Sequence, residues 1–429
     1  MEKLLEFVQN NLQANTARLI LDRSKWPDID MDIAVNCIES RSKLKGKIRD
    51  WYENPDLIFP LKLSAEQCSS SLTGVYKSEL AERIAGSDYG WKLADLTGGL
   101  GVDSWYFSKK AEQVLYCEMQ KALCDAAQHN FAALGSGNII ICNCKIVPPN
   151  DSAAESRDLD IDISPEDLFA EYNPDIIYLD PARRGEGGRK VFLLEDCTPD
   201  ILKLKDSLFT SARHILLKLS PMADITMVCE RLGRCCREVH IVGASGECKE
   251  LLVWMDNEWN GDYNITAAEL TGCEDEGKCE SALFSFSPTE ERSSAPLIAG
   301  KEDITTSSYL FEPGKALMKA GAYNLISKRF GLKKLGRSTH YYIVSEQDLS
   351  DDLKKLGKVF NILRCEPLDK RSIKDIASAY PKAEVTARNL PMDTDTLRKK
   401  LGTRSSDQFH IFGLKSDTAG NLLFATERA

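Results

Sequence analysis

Asp95-Leu-Thr-Gly98-Gly99-Leu-Gly101 is the stretch of sequence that decides the fold. It ends the short apolar run WKLADL, which predicts a buried strand, and it leads into a helix around Trp105. Glycines at such a turn let the backbone bend tightly and approach a ligand where a side chain would block it. The stretch therefore predicts a strand, a ligand-binding turn and a helix at the start of an α/β sheet.

Strands and helices alternate after this turn. Four apolar runs predict further strands, with helices between them: QVLYCE, NIIICNC, DIIYLD and HILLKLS. Two more runs, EVHIVGA and KELLVWMD, predict a closing hairpin. Because strands that alternate with helices form parallel sheets with helices on both faces, residues 73–262 are expected to be α/β. The expected fold is a Rossmann-like, doubly wound, mostly parallel sheet with a closing antiparallel hairpin.

The regions that flank this sheet differ from it in pattern. Residues 1–72 predict an N-terminal helical region, since leucines recur there at near-helical spacing and prolines divide them. Residues 262–300 are rich in Gly, Glu and Ser and predict a domain boundary. Residues 357–429 again alternate strands and helices and predict a small C-terminal α/β module, in which Asp393 or Thr394 caps the helix TDTLRKKLG and Gly402 ends it.

Charge is distributed unevenly along the 429 residues, whose formal net charge is −10. Residues 313–404 hold 20 Lys and Arg against 10 Asp and Glu, whereas residues 71–312 hold 23 against 41. A basic segment attached to an acidic body is typical of a module that binds a polyanion. The alternative is that these lysines only solvate helix faces, and the sequence leaves both interpretations open.

A membrane span and a metal site are not expected. No run of 18 or more apolar residues occurs, and the initial MEKLLEFVQNNLQ carries acids instead of an apolar core. The sequence therefore predicts no secretory signal and a cytoplasmic protein. The 14 cysteines lack the spacing of a zinc ribbon and the five histidines are scattered, so we expect reduced, buried thiols and no metal.

Two carboxylates frame the glycine-rich turn. Asp95 ends the first strand, and Glu118 ends the next, where a carboxylate can accept hydrogen bonds from both hydroxyls of a ribose. Ser104 occupies the place of the third glycine in the dinucleotide fingerprint, and there is no Walker-type lysine. The pattern Asp-Leu-x-x-Gly-x-Gly favours S-adenosylmethionine, with a nicotinamide cofactor as a weaker alternative.

Motifs along nearly the whole chain carry a family resemblance. They are EQCSSSLTGVYKSEL, DLTGGLGVD, DPARR, LKLSPMADI, GECKELL, YLFEPGKALMKAGA and ARNLPMDTDTLRKKLG. With these motifs the sequence resembles bacterial class I S-adenosylmethionine-dependent methyltransferases that carry a THUMP-like C-terminal domain. The resemblance implies a methyltransferase domain at 73–262, a small ferredoxin-like domain at 280–322 and a THUMP-like domain at 357–429. It also implies S-adenosyl-L-methionine as cofactor and, since THUMP modules are associated with RNA, an RNA partner.

The candidate cofactor-binding residues come from the ends of the first three strands and from the turn itself. Asn143 stands at the end of the third strand, where its side-chain carbonyl could bond the adenine amine. The full set is Asp95, Thr97, Gly99, Gly101, Asp103, Glu118 and Asn143.

Asp180 and Pro181 directly follow the fourth strand and are the candidate catalytic residues. The carboxyl ends of parallel strands form the ligand crevice, so this position faces the methyl group to be transferred. Related enzymes that methylate exocyclic amines have Pro and an aromatic residue next, whereas this chain has Ala182 and Arg183, which disfavours base N-methylation. No Pro-Cys pair at a strand end supports a covalent mechanism. Asp-Pro after a strand is alternatively a simple turn.

Arg183, Arg184 and Lys218 are the candidate substrate-binding residues. The arginines could grip a phosphate or carboxylate of the substrate, or they could pair with acids of the acidic domain. Lys218 lies near the end of the fifth strand, where it could contact substrate or be solvated. Two other functions stay open: methyl transfer to a protein or small molecule, and a non-catalytic module that binds RNA and senses S-adenosylmethionine.

Overall fold

The computed structural model describes residues 2–86, 90–149, 162–183, 193–272 and 279–429. The chain divides into two compact units. The first unit comprises residues 1–244, 249–263 and 270–281. The second unit comprises residues 245–248, 264–269 and 282–429. None of the described helices is long and apolar enough to cross a membrane.

The first unit begins with helices, which confirms the predicted helical N-terminal region. They are α1 (Glu2–Asn10), α2 (Thr16–Leu21), α3 (Met31–Leu44), α4 (Arg49–Glu53), α5 (Lys62–Gln67) and α6 (Ser71–Ala85). Capping side chains set where helices begin: Asp30 accepts a hydrogen bond from the N–H of Ile33 at α3, and Ser70 accepts one from Thr73 at α6. Gly86 ends α6 in the left-handed conformation that closes many helices.

Alternating strands and helices follow. In chain order they are β1 (Lys92–Asp95), α7 (Val102–Ser108), β2 (Gln113–Glu118), α8 (Lys121–Ala133), β3 (Ile139–Asn143), β4 (Lys145–Ile146), β5 (Asp162–Ile163), α9 (Pro165–Leu168), β6 (Ile176–Leu179), β7 (Ala182–Arg183), β8 (Cys197–Thr198), α10 (Ile201–Ser211), β9 (His214–Leu219), α11 (Ile225–Leu232), β10 (Cys236–Ala244) and β11 (Glu247–Asp256). The interior strand β6 is a continuous apolar run because a parallel sheet is buried on both faces.

The main sheet has a mostly parallel arrangement. Seven of its strands lie in the order β10-β11-β9-β6-β1-β2-β3. Neighbours from β9 to β3 pair in parallel, whereas β11 runs antiparallel to β9. The predicted Rossmann-like sheet with a closing antiparallel hairpin is therefore confirmed. Because parallel strands share one direction, the carboxyl ends of β1, β2, β6 and β9 meet at one edge.

The N-terminal helices pack against α7 and α8. Trp51 meets Trp105 edge-to-face, with the ring centres 6.0 Å apart. The amide of Asn130 accepts from the N–H of Ile58 and donates to its carbonyl, both at 2.8 Å. An apolar cluster that includes Phe131 continues between the helices and the sheet. These contacts fix the N-terminal helices beside the glycine-rich turn.

From residue 264 onward the chain forms further strands and helices. In chain order they are β12 (Asn264–Thr271), β13 (Glu280–Phe286), α12 (Pro288–Ser293), β14 (Leu297–Ile298), β15 (Tyr309–Pro313), α13 (Lys315–Ala320), α14 (Leu325–Phe330), β16 (Lys333–Lys334), β17 (Tyr342–Val344), α15 (Asp351–Lys355), β18 (Gly357–Pro367), α16 (Lys370–Ala379), β19 (Glu384–Arg388), α17 (Thr394–Leu401), β20 (Phe409–Ser416) and β21 (Gly420–Arg428). Eight of these strands form a second sheet in the order β14-β16-β17-β15-β18-β21-β20-β19. Because β15 pairs with both β17 and β18, one sheet joins the strands on both sides of α15.

Helix α17 lies where the sequence predicts it, whereas strand β12 was not predicted. Helix α17 begins after Asp393, whose carboxylate accepts from the N–H of Thr396, and it ends at Gly402 in the left-handed conformation. Strand β12 lies where the sequence predicts a boundary region. Its sequence, NITAAELT, lacks a run of large apolar residues, so its strand character is not visible in the pattern.

Candidate active site

A cavity of about 270 Å³ lies in the first unit, at the edge where the parallel strands end. We call it the sheet-edge cavity. The N-terminal helical region contributes Ser64, Gln67, Cys68 and Ser69 to its lining. The structure also brings together most of the predicted site residues there: Asp95, Thr97, Gly99, Gly101, Asp103, Glu118, Asp180 and Lys218.

The glycine-rich turn packs too closely on two aromatic rings to carry side chains. A Cβ on Gly98 would lie 2.2 Å from the ring of Tyr116, and one on Gly101 would lie 2.7 Å from the ring of Phe131. Gly101 also has φ of +91°, which other residues rarely adopt. The hydroxyl of Tyr116 donates to the carbonyl of Gly99 at 2.6 Å. The rings of Tyr116 and Phe131 therefore fix the turn on one side, and its backbone lines the cavity.

Glu118 ties the turn to the end of β2. One carboxylate oxygen accepts from the N–H of Gly99 at 3.0 Å, and the other accepts from the N–H of Gln120 at 2.8 Å. Each carboxylate oxygen has two lone pairs, so both can accept a further hydrogen bond. Glu118 thus lines the cavity in a fixed position and can still bind a pair of ligand hydroxyls.

Asp95 organises the first half of the turn from a buried position. Its carboxylate accepts from the N–H of Thr97 at 3.0 Å and from the hydroxyl of Ser104 at 2.6 Å. The Thr97 hydroxyl in turn accepts from the N–H of Asp180 at 2.6 Å, which joins the ends of β1 and β6. Burial raises the pKa of Asp95 to about 7.

Buried ion pairs form a lysine–carboxylate network of Lys77, Asp103, Asp180, Lys218 and Glu250 beside the cavity. The Lys77 ammonium lies 2.7 Å from Glu250 and 3.4 Å from Asp103. The Lys218 ammonium lies 2.6 Å from Asp180 and 3.6 Å from Asp103. Asp103 therefore stands between two lysines and connects the N-terminal helix α6 with the ends of β6 and β9.

Two members of this network, Asp103 and Lys218, are held in their charged forms by their partners. Burial alone would raise the pKa of Asp103, but the ammonium groups of Lys77 and Lys218 outweigh it and hold that pKa at about 2. Burial alone would lower the pKa of Lys218, but the carboxylates of Asp180 and Asp103 raise it above its ordinary value. Removing one partner from such a buried pair typically destabilises a protein by about 3–5 kcal/mol, because the other charge is left without a partner.

Asp180 combines a fixed backbone with an accessible carboxylate. Its side chain is 39% exposed, and its Oδ2 accepts the bond from Lys218. Pro181 follows in a buried position, and Ala182 lines the cavity. Arg183 continues the backbone as part of β7, and Arg184 lies outside the described residues. Asp180 is therefore the member of this segment whose side chain faces the cavity in a defined geometry.

Asn143 lies beside the cavity without lining it. Its side-chain NH₂ donates to the carbonyl of Glu118 at 2.8 Å and to the carbonyl of Met119 at 3.1 Å. Beyond β3, the next residues Cys144 and Lys145 do line the cavity. In this structure Asn143 holds the backbone after β2 in place.

Sequence reasoning gives no role to Lys77, Glu250 or Tyr178, yet all three surround Asp103. The hydroxyl of Tyr178 donates to Asp103 at 2.8 Å. One signal was available: Lys77 and Glu250 are charges of opposite sign within otherwise buried stretches of α6 and β11. Buried charges are almost always paired, so each of the two requires a partner, but the sequence alone does not show which one.

One of the solved structures that resemble this protein matches it over the whole chain. The crystal structure of a presumed methyltransferase from Porphyromonas gingivalis W83 is similar with a TM-score of 0.80 and 26% sequence identity, covering 100% of this chain and 98% of that one. An rRNA methylase from Streptococcus thermophilus is far less similar, with a TM-score of 0.28, 10% identity and coverage of 42% and 94%. The first likeness shows a methyltransferase fold, and the second is too slight to support an argument.

Family profiles match the second unit. Residues 309–350 match a ferredoxin-like domain, in a range that begins within the predicted 280–322, and residues 357–428 match a THUMP domain-like family. Among curated proteins, none is significantly similar to the chain. The chain therefore combines a methyltransferase fold with a ferredoxin-like and a THUMP-like domain, as the resemblance implies.

Proposed function

We propose that this protein is a class I methyltransferase that uses S-adenosyl-L-methionine and acts on RNA. The observation that carries the proposal is the position of Asp180, which is fixed at the sheet-edge cavity by Thr97 and Lys218. The likeness over the whole chain to a presumed methyltransferase supports the reaction class. The THUMP domain-like match and the basic segment 313–404 support the substrate class.

The residues around the cavity fit S-adenosylmethionine. Among the described residues, a Cβ on Gly99 would meet only the Thr97 carbonyl, at 3.8 Å, which leaves room for a ligand beside the turn. The turn backbone from Gly98 to Gly101 would hold the cofactor, and Glu118 would accept hydrogen bonds from its ribose hydroxyls. When bound, S-adenosylmethionine supplies a methyl group that its positively charged sulfur makes electrophilic.

Asp180 orients the acceptor group of the substrate. Lys218 occupies Oδ2, so Oδ1 is the oxygen available to an N–H or O–H of the substrate. The 2.6 Å contact with the ammonium of Lys218 also holds the carboxylate in place, which makes Asp180 a hydrogen-bond acceptor of fixed position. Alignment of reacting groups can contribute roughly 7–11 kcal/mol to a rate, so no strong base is required. With Ala182 and Arg183 after Pro181, no aromatic ring is present there to stack a base.

The second unit has a surface suited to RNA. A cavity of about 260 Å³ is lined by residues that include Lys315, His340 and Arg388. The His340 ring stacks on Tyr323 with ring centres 3.7 Å apart, and its Nδ1 is buried with no hydrogen-bond partner among the residues that the structure describes. Cations combined with aromatic rings are what unpaired RNA nucleotides bind. This cavity therefore supports RNA as the substrate.

The test is transfer of labelled methyl from S-adenosylmethionine into cell extract from a strain that lacks the protein. RNA, protein and small-molecule fractions are counted separately for the wild type, Asp180→Asn and the control Asp206→Asn, whose side chain is exposed on α10. We expect label in RNA, a loss of at least a hundredfold in Asp180→Asn, and no loss in the control. Asp180→Asn should still bind S-adenosylhomocysteine.

Three outcomes would contradict parts of the proposal. Label in the protein or small-molecule fraction would remove RNA as the substrate. Full activity of Asp180→Asn would remove the assigned role of Asp180. Cofactor binding without label in any fraction would favour a protein that senses S-adenosylmethionine.

A further inference from the structure

Three cysteine side chains meet where β2 and β3 end. Cys117 of β2 is directly opposite Cys142 of β3 in the parallel register, and Cys144 follows two residues later. Their sulfur atoms all lie within 4.8 Å of one another. None of the three forms a disulfide. We call this group the cysteine triad.

The surroundings of the cysteine triad favour a bound metal ion. Cys117 and Cys144 are buried and Cys142 is partly buried, so the sulfurs are shielded from bulk solvent. Around a zinc-sized ion with metal–sulfur bonds of about 2.3 Å, tetrahedral sulfurs lie about 3.8 Å apart. Since the three sulfurs lie within 4.8 Å of one another, a contraction of at most about 1 Å would bring them to this spacing.

The triad is also held in place and has an access route. The N–H of Cys144 donates to the carbonyl of Glu118 at 3.1 Å, which fixes the backbone after β3 against the end of β2. Cys144 lines the sheet-edge cavity. Through Cys144 the triad adjoins the cavity, and an ion could reach it from there.

We propose that Cys117, Cys142 and Cys144 bind one thiophilic metal ion, zinc or monovalent copper, through their thiolates. Thiolate ligands select these soft ions over magnesium or calcium. Spacing along the chain predicts no metal site, because one ligand comes from a different strand than the other two. The parallel pairing of β2 and β3 creates the site, and it does not depend on the proposed methyl transfer.

The test uses the full-length, reduced and metal-free protein. Cobalt is added as a spectroscopic probe, and zinc and anaerobic monovalent copper are then added separately to displace it. We expect one equivalent of cobalt per chain with a thiolate charge-transfer band, and displacement by at least one of the two ions. Cys142→Ser and Cys144→Ser should each weaken binding at least tenfold, whereas Cys365→Ser, a partly buried cysteine of the second unit, should not.

A second measurement covers the case in which these variants do not fold. Zinc or copper should protect the cysteine triad of the wild type from alkylation, as mapped by mass spectrometry, while Cys365 reacts as before. Absence of the band and of protection would overturn the proposal. Equal loss in Cys365→Ser, or oxidation of the triad to a disulfide with no metal bound to its reduced form, would also overturn it.

Discussion

Asp95 and Asp103 lie on either side of the glycine-rich turn, and their pKa values are shifted in opposite directions although burial raises both. No cation of the described part of the chain pairs with Asp95, so burial raises its pKa to about 7 from the ordinary 3.8. Asp103 lies between two lysines, which hold its pKa at about 2. Asp103 therefore stabilises the fold above pH 3.8, and this contribution is lost as the pH falls towards 2.

Asp95 should make the first unit less stable as the pH rises from about 4 to 7. In that window the folded carboxyl keeps its proton while the unfolded one loses it, so unfolding releases a proton. The slope can reach about 1.4 kcal/mol per pH unit. We expect Asp95→Asn to lack this contribution, so the difference in unfolding free energy between wild type and variant should change with pH in this window.

Urea unfolding followed by tryptophan fluorescence measures this difference. All six tryptophans belong to the first unit, so the signal reports on the unit that contains Asp95. Other titrating groups contribute equally to both proteins and cancel in the comparison. Asp206→Asn serves as the control and should follow the wild type. Parallel pH profiles of wild type and Asp95→Asn would show that Asp95 is already ionised in the folded protein.

At the scale of elements, the turn between β1 and α7 requires glycine for space as well as for backbone conformation. Gly101 and Gly135 both have positive φ, +91° and +72°. A Cβ on Gly101 would collide with the ring of Phe131, whereas one on Gly135 would have nothing within 4 Å. Alanine at either position would strain the backbone, but only alanine at Gly101 would also be crowded by a ring. Comparing the two substitutions therefore distinguishes the two effects.

Gly101→Ala should weaken cofactor binding, and Gly135→Ala should not. Both variants carry the left-handed strain of about 1–2 kcal/mol, but only Gly101→Ala must also move the turn that lines the cavity. Calorimetric titration with S-adenosylhomocysteine should show at least a tenfold weaker Kd for Gly101→Ala and a normal Kd for Gly135→Ala. Equal affinity of both variants would contradict the assignment of the turn as the cofactor site.

The succession of elements could be predicted from sequence, whereas much of the site could not. The run QVLYCE coincides with β2 at both ends, because an apolar stretch between polar turns indicates a buried strand. The pair of Lys77 and Glu250 joins residues 173 positions apart, and only the strand order brings them together. The cysteine triad depends in the same way on the register of β2 and β3. Local patterns reveal strands and turns, but contacts between distant strands require the topology.

At the scale of the whole molecule, the two units differ in net charge. In the proposed function the first unit transfers the methyl group and the more basic second unit binds RNA. The excess of basic over acidic residues lies between 313 and 404, within the second unit. Removing residues after 356 would not isolate their effect, because β18 pairs with β15 and the deletion would break the second sheet. Substitution of exposed cations leaves the sheet intact and is the sharper test.

Lys399 and Lys400 are exposed in the last turn of α17, and the double variant Lys399→Glu/Lys400→Glu should bind RNA more weakly. If both contact phosphates, the slope of log affinity against log salt should become shallower by about 1.4, the value for two contacts to a single strand. Fluorescence anisotropy with a short labelled RNA of mixed sequence, measured over a series of salt concentrations, gives this slope. The control Lys3→Glu/Lys121→Glu makes the same change in net charge at exposed lysines of the first unit. If the slope for the control becomes shallower by the same amount, RNA binding depends on the overall charge of the protein. An unchanged slope for the α17 variant would place the RNA contacts elsewhere.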